Sequence, residues 1–114
     1  MIIVKQNIIP FKGFSAITLW PFVFVRKDCE QHLKESKQWD TMLRHEQIHL
    51  EQQREMLVIP FFLWYIVEWL LRKLFGNGNA YRNISFEREA YRNEDVLFYI
   101  EHREPFNWVN YLKD

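Results

Sequence analysis

The residues best placed for chemistry are His45-Glu46-Gln47-Ile48-His49, an H-E-x-x-H run. On a helix, residues four apart project from one face a turn apart, so both imidazoles can reach one tetrahedral Zn²⁺. Glu46 follows the first histidine and stands where it can take a proton from a water on that ion. Zinc brings such a water to a pKa near 7, and the carboxylate can later pass the proton to a leaving amine. With 4 His and 11 Glu among 114 residues, chance supplies the run only about 0.01 times.

A third protein ligand is needed. Positions 52–55, where the metzincin pattern would put glycine and histidine, read Gln52-Gln53-Arg54-Glu55, and the two glutamines are expected to be solvated helix residues. His32 lies in a charged loop and His102 near the chain end beside Arg103, so neither is well placed. The run SFEREAYRNE at 85–94 offers Glu87, Glu89 and Glu94. Within one helix Glu87 and Glu89 point about 200° apart and cannot both face one ion. Glu87 shares a face with Ala90, Tyr91 and Glu94, and the small Ala90 permits close approach to the first helix; Glu89 stays the alternative.

His45-Glu46-x-x-His49-x-x-Gln52-Gln53, followed by Glu87-x-x-Ala90-Tyr91, resembles the gluzincin clan of zinc metallopeptidases. Those enzymes pair H-E-x-x-H with a downstream glutamate, commonly written E-x-x-A-D. The likeness is greatest to the short single-domain members, in which a β-hairpin of the A-I-T-x type precedes the active-site helix. Ala16-Ile17-Thr18-Leu19 holds that place here. The resemblance implies His45, His49 and Glu87 as zinc ligands, Glu46 as catalytic base, and a peptide or protein substrate. Tyr91 stands where the clan usually has an aspartate supporting a histidine ligand, so the motif does not supply that partner. Tyr81, Tyr91, His102 and Arg103 are the candidate donors to an oxyanion.

These residues need a scaffold. Met1 to Val4 and the run FSAITLWPFVFVRKD after Gly13 are rich in β-branched and aromatic residues and read as strands, with Pro21 at a turn, bulge or edge. The Ser15–Arg26 segment is expected to supply an edge strand along which an extended peptide lies. Residues 28–40 read as a loop or short helix. Helical spacing begins at Thr41, with Asp40 or Thr41 as N-cap, and runs towards Val58 until Pro60 stops or kinks it. A second helix covers Phe61 to Phe75, ended by Gly76-Asn77-Gly78-Asn79. A last helix starts at Ser85 as N-cap and carries Phe86, Ala90, Leu97 and Ile100 as far as Pro105. The expected architecture is α+β over residues 1–114 as one zincin-like domain. A small N-terminal antiparallel sheet or hairpin packs on the H-E-x-x-H helix and two further helices.

Composition narrows the function classes. The chain is 48% hydrophobic and 18% aromatic, enough for a core, and Lys plus Arg balance Asp plus Glu at 15 each. Zero net charge argues against a nucleic-acid partner. Cys29 is the only cysteine, so no internal disulfide or cysteine-rich metal site can form, and it is expected to be an inert thiol. The apolar N-terminus is broken by Lys5, Asn7 and Pro10 and does not read as a secretory signal, which makes the cytoplasm the default location. Leu57 to Leu71 is apolar except for Glu68, too short for a membrane span, and reads as a buried core helix. The leading expectation is a zinc peptidase. The alternative is a non-catalytic, metal-binding module that docks a partner or a membrane surface through the aromatic 57–71 segment.

Overall fold

Alternating β-branched and aromatic residues form three short strands: β1 (Ile2–Gln6), β2 (Ala16–Leu19) and β3 (Phe22–Arg26). The structure, a computed structural model, describes residues 2–10, 14–29 and 37–113. The strand order is β1-β3-β2. β2 and β3 form an antiparallel hairpin, Ala16 opposite Val25 and Leu19 opposite Phe22, with Pro21 in the turn. β1 lies parallel to β3, Ile2 opposite Phe22 and Gln6 opposite Arg26. The sheet is therefore mixed, not antiparallel as expected. The hairpin turn fixes β2 on one side of β3, which leaves the other edge of β3 to β1. Val23 and Val25 of the central strand are fully buried. Of the expected edge segment, only β2 is an edge on the helical side; β3 is paired on both sides.

Helix α1 (Gln38–Met56) starts before the expected cap, with Lys37 at the N-cap and no side-chain capping bond. It ends at Leu57, whose φ of 70° turns the chain sharply into α2 (Val58–Phe75). Pro60 thus does not stop α1. It is the third residue of α2, where its missing N–H would have had no partner within the helix. The cap at the far end of α2 is Gly76, whose N–H reaches Arg72 O at 3.0 Å; a Cβ there would lie 2.7 Å from the same carbonyl. A short α3 (Ala80–Asn83) follows, capped by Asn79 Oδ1 accepting from the Arg82 N–H.

The expected last helix is broken in two. It comprises α4 (Ser85–Asn93) and α5 (Tyr99–His102), separated by turns that end at Phe98, φ 63°. A 3-10 helix (Asn107–Tyr111) follows. Ser85 is not the N-cap of α4. The cap is Ile84, and Glu68 from α2 does the capping instead: it accepts from the Ser85 N–H at 2.5 Å and the Ser85 hydroxyl at 2.6 Å. A carboxylate at a helix N-terminus is also favoured by the helix dipole.

Phe61, Ile84, Phe86 and Trp108 form a buried apolar cluster, with Tyr65, Trp69 and Leu112 packed around it. The rings of Phe61 and Phe86 lie 4.4 Å apart, and those of Phe86 and Trp108 4.7 Å. The 57–71 segment is not the buried helix expected: within α2 only Phe61 and Glu68 are buried, and its outer apolar side chains are exposed. Among the described residues, no helix is long and apolar enough to cross a membrane.

Candidate metal centre

The buried face of α1 is His45, Glu46, Ile48, His49, Gln52 and Gln53, with Ile48 its one apolar member. Burying polar groups is costly unless each finds a partner, so the bonds they make define the site. His45 Nε2, His49 Nε2 and Glu87 Oε1 lie 3.2 Å from one another, pair by pair. Ligand atoms on a tetrahedral ion with arms of about 2.0 Å are separated by about 3.3 Å, so the triangle fits zinc. These three residues form a group able to hold a metal ion. The elements that bring them together are α1, for both histidines, and the first turn of α4, for Glu87.

The surrounding bonds fix which ring nitrogens carry protons. Gln52 Nε2 donates to Phe86 O at 3.1 Å and Glu89 Oε1 at 2.9 Å, so its Oε1 must face His49 Nδ1, 2.8 Å away. That nitrogen is then the donor. His45 Nδ1 likewise donates to Glu94 Oε2 at 2.7 Å. In the neutral imidazoles both Nε2 atoms therefore present lone pairs to each other and to a carboxylate oxygen. Three lone pairs at that separation repel unless a cation or added protons lie among them. In the protein without bound metal, burial pulls His45 down, but hydrogen bonds to Glu87 and Glu94 outweigh it and push it up to about 10. His49 is also raised, burial being overcome by the Glu87 charge. Burial works to raise Glu87, but the two histidines overcome it and hold the carboxyl well below its ordinary range.

Around this centre, Tyr65 of α2 donates to Glu87 Oε2 at 2.8 Å, leaving Oε1 to the histidines. Burial and the Glu87 charge push the Tyr65 phenol far above its ordinary value, so it stays a donor. Glu46 accepts from the Thr18 hydroxyl of β2, Oγ1 to Oε2 at 2.5 Å. Gln53 binds β2 and the turn after it: Nε2 donates to Thr18 O at 2.8 Å, and Oε1 accepts from the Trp20 N–H at 2.7 Å. A cleft of about 210 Å³ opens beside these groups, lined among others by Ala16, Thr18, Glu46, His49, Tyr81 and Glu87.

The structure thus brings together His45, Glu46, His49 and Glu87. Glu89 points away, fully buried and bonded to Gln52, Tyr99 and Arg103. Arg103 is held between Glu89 and Glu55, and His102 is exposed, so neither lines the cleft. Tyr91 packs edge-on against His45 with ring centres 4.6 Å apart. The carboxylate that bonds His45 Nδ1 comes instead from Glu94, three residues further along the chain at the C-cap of α4.

Gln52 and Gln53 are not solvated, as expected from sequence, but fully buried. The signal for them was their spacing: three and four residues after His49, they must turn inward wherever that histidine does. Nothing local marked Thr18 or Tyr65, whose contacts join distant segments. Cys29 is half-buried, and burial and the neighbouring Asp28 push its thiol up, as for an unactivated cysteine. His32 lies outside the described residues. Compared with protein-family models, with curated proteins and with solved structures, the chain matches none.

Proposed function

We propose that this chain is a zinc-dependent peptidase in which His45, His49 and Glu87 hold the ion and Glu46 is the general base. The observation that carries the reading is the triangle of 3.2 Å sides among His45 Nε2, His49 Nε2 and Glu87 Oε1, with both Nδ1 atoms already committed as donors. A divalent ion held there supplies an acidified water and polarises a peptide carbonyl. Glu46, next in sequence to one ligand and open to the cleft, accepts the proton of the attacking water and returns it to the leaving amine. Thr18 occupies Glu46 Oε2, which leaves Oε1 for that exchange.

The strand beside the cleft suits an extended peptide. The Arg26 N–H bonds Ser15 O at 2.9 Å, so alternation along the antiparallel pair turns the backbone groups of Ala16 and Thr18 to the free edge. Gln53 already takes Thr18 O, and the Ala16 backbone is left to pair with a substrate strand. Tyr81 lines the same cleft. Burial, then the Glu87 charge, push its phenol far above the ordinary value, which keeps it a donor for a developing oxyanion.

The test is metal analysis with a hydrolysis assay on a broad peptide library. Wild-type protein should carry about one zinc per chain, His45→Ala should lose it, and Glu46→Gln should keep it while losing hydrolysis. Protein that stays metal-free in zinc-supplemented medium would remove the reading. Zinc without turnover would leave the non-catalytic module.

A further inference from the structure

The geometry points to a second functional surface: we propose that the outer face of α2 docks on the surface of a bilayer containing anionic lipid. Ile59, Leu63, Ile66, Val67, Leu70 and Leu74 form a continuous exposed stripe along this helix, from 45% exposure at Leu70 to 74% at Ile59. With Trp64, Leu71 and Phe75 beside them, the apolar side chains fan over about 180° of the helix circumference. No charged side chain interrupts the fan. The one acid of α2, Glu68, is buried and bonded to Ser85 and Arg72, and the Trp64 indole N–H turns inward to it at 3.1 Å.

The width of the face selects the occupant. A helix packed against one neighbour presents an apolar stripe of about 100°, so a second copy of the chain crossing α2 would leave the flanks of this face wet. A lipid surface accepts the outer half of a helix along its whole length, with the opposite face held by protein. A spanning arrangement is excluded on the described residues, because the inner face of α2 packs on Phe86 and Ile84 and carries Glu68. The helix must lie in the plane of the membrane.

Charge at the rim agrees. Lys73, in the last turn of α2, stands beside the stripe, exposed and with its ammonium 4.8 Å from the Trp69 ring. Arg72 donates to Leu112 O at 2.8 Å, which brings the exposed Lys113 to the same end. Arg72 is itself paired with Glu68, so Lys73 and Lys113 are the cations at this end of the apolar face where lipid phosphates would lie, and long basic side chains can reach headgroups while their stems stay in the apolar layer.

The experiment is flotation of the full chain with phosphatidylcholine vesicles, with and without phosphatidylserine, alongside light scattering to give its mass in solution. Wild-type protein should float with the mixed vesicles. Leu63→Glu combined with Leu70→Glu should abolish flotation, and Lys73→Glu with Lys113→Glu should weaken it about tenfold on anionic vesicles only. All these positions are exposed, and unchanged circular dichroism would show that the variants fold. Glu46→Gln should float like wild type, because the surface does not depend on the zinc reading. Failure of folded wild-type protein to float overturns the proposal. So does flotation untouched by the Leu63/Leu70 pair, or a dimer that this pair breaks in protein that ignores vesicles.

Discussion

Gln52 decides which way His49 donates. Its amide is oriented by two acceptors, Phe86 O and Glu89, so its oxygen holds His49 in the tautomer that frees Nε2. Gln52→Leu should lower zinc affinity by about 10- to 100-fold, read by competition with a chelating dye, while leaving the α1 ligands in place. Thr18 acts on Glu46 in the same way. Thr18→Val keeps shape but removes the hydroxyl, and should lower kcat roughly tenfold with zinc content unchanged, while Thr18→Ser restores most of the rate. An unchanged rate in Thr18→Val would mean that the bond positions nothing. At this scale the histidines were legible because helical periodicity puts them on one face, and Glu46 because of its place in the H-E-x-x-H motif. Glu87 needed the resemblance as well, and Thr18 and Tyr65 were not legible because their partners lie 28 and 22 residues away.

Glu68 shows how one polar side chain can organise two helices. It stands in an apolar run yet supplies the N-terminal cap of α4, the element that presents Glu87, and accepts from Trp64 and Arg72 as well. Glu68→Leu would leave several buried donors without an acceptor and should cost about 2–3 kcal/mol in urea denaturation. Glu68→Gln, which keeps an acceptor oxygen, should cost less. If both variants match wild type, the cap is not stabilising. Strand positions were legible from β-branched and aromatic runs, and the end of α2 from its glycines. The partner of β1 was not, since strand pairing is non-local. Nor was the corner at Leu57: a leucine at φ 70° carries no compositional sign, whereas Pro60, three residues on, offers an obvious but mistaken stop.

Across the whole molecule, the group able to hold a metal ion joins elements that the apolar core already holds. α1 and α4 supply its three side chains, Tyr65 ties in α2, and Thr18 ties β2 to Glu46, whereas Phe61, Ile84, Phe86 and Trp108 pack apart from that group. Chelation should therefore leave far-UV circular dichroism intact and lower the melting temperature. The difference should depend on pH. Without metal, His45 is raised from 6.5 to about 10, so its contribution is complete below 6.5 and disappears as pH rises through 10. The depressed Glu87 contributes above its ordinary 4.5 and is lost on acidification. The metal-free protein should thus be most stable between these ordinary values and weaken steadily towards pH 10. Zinc needs the same imidazoles unprotonated, so its affinity rises over that interval. At 100 times its dissociation constant it adds about 2.7 kcal/mol, and more as affinity grows. Calorimetry should show the gap between zinc-loaded and chelated protein widening from pH 6.5 to 10, with no gap in His45→Ala; a gap that narrows over that range would mean that zinc does not bind through these histidines.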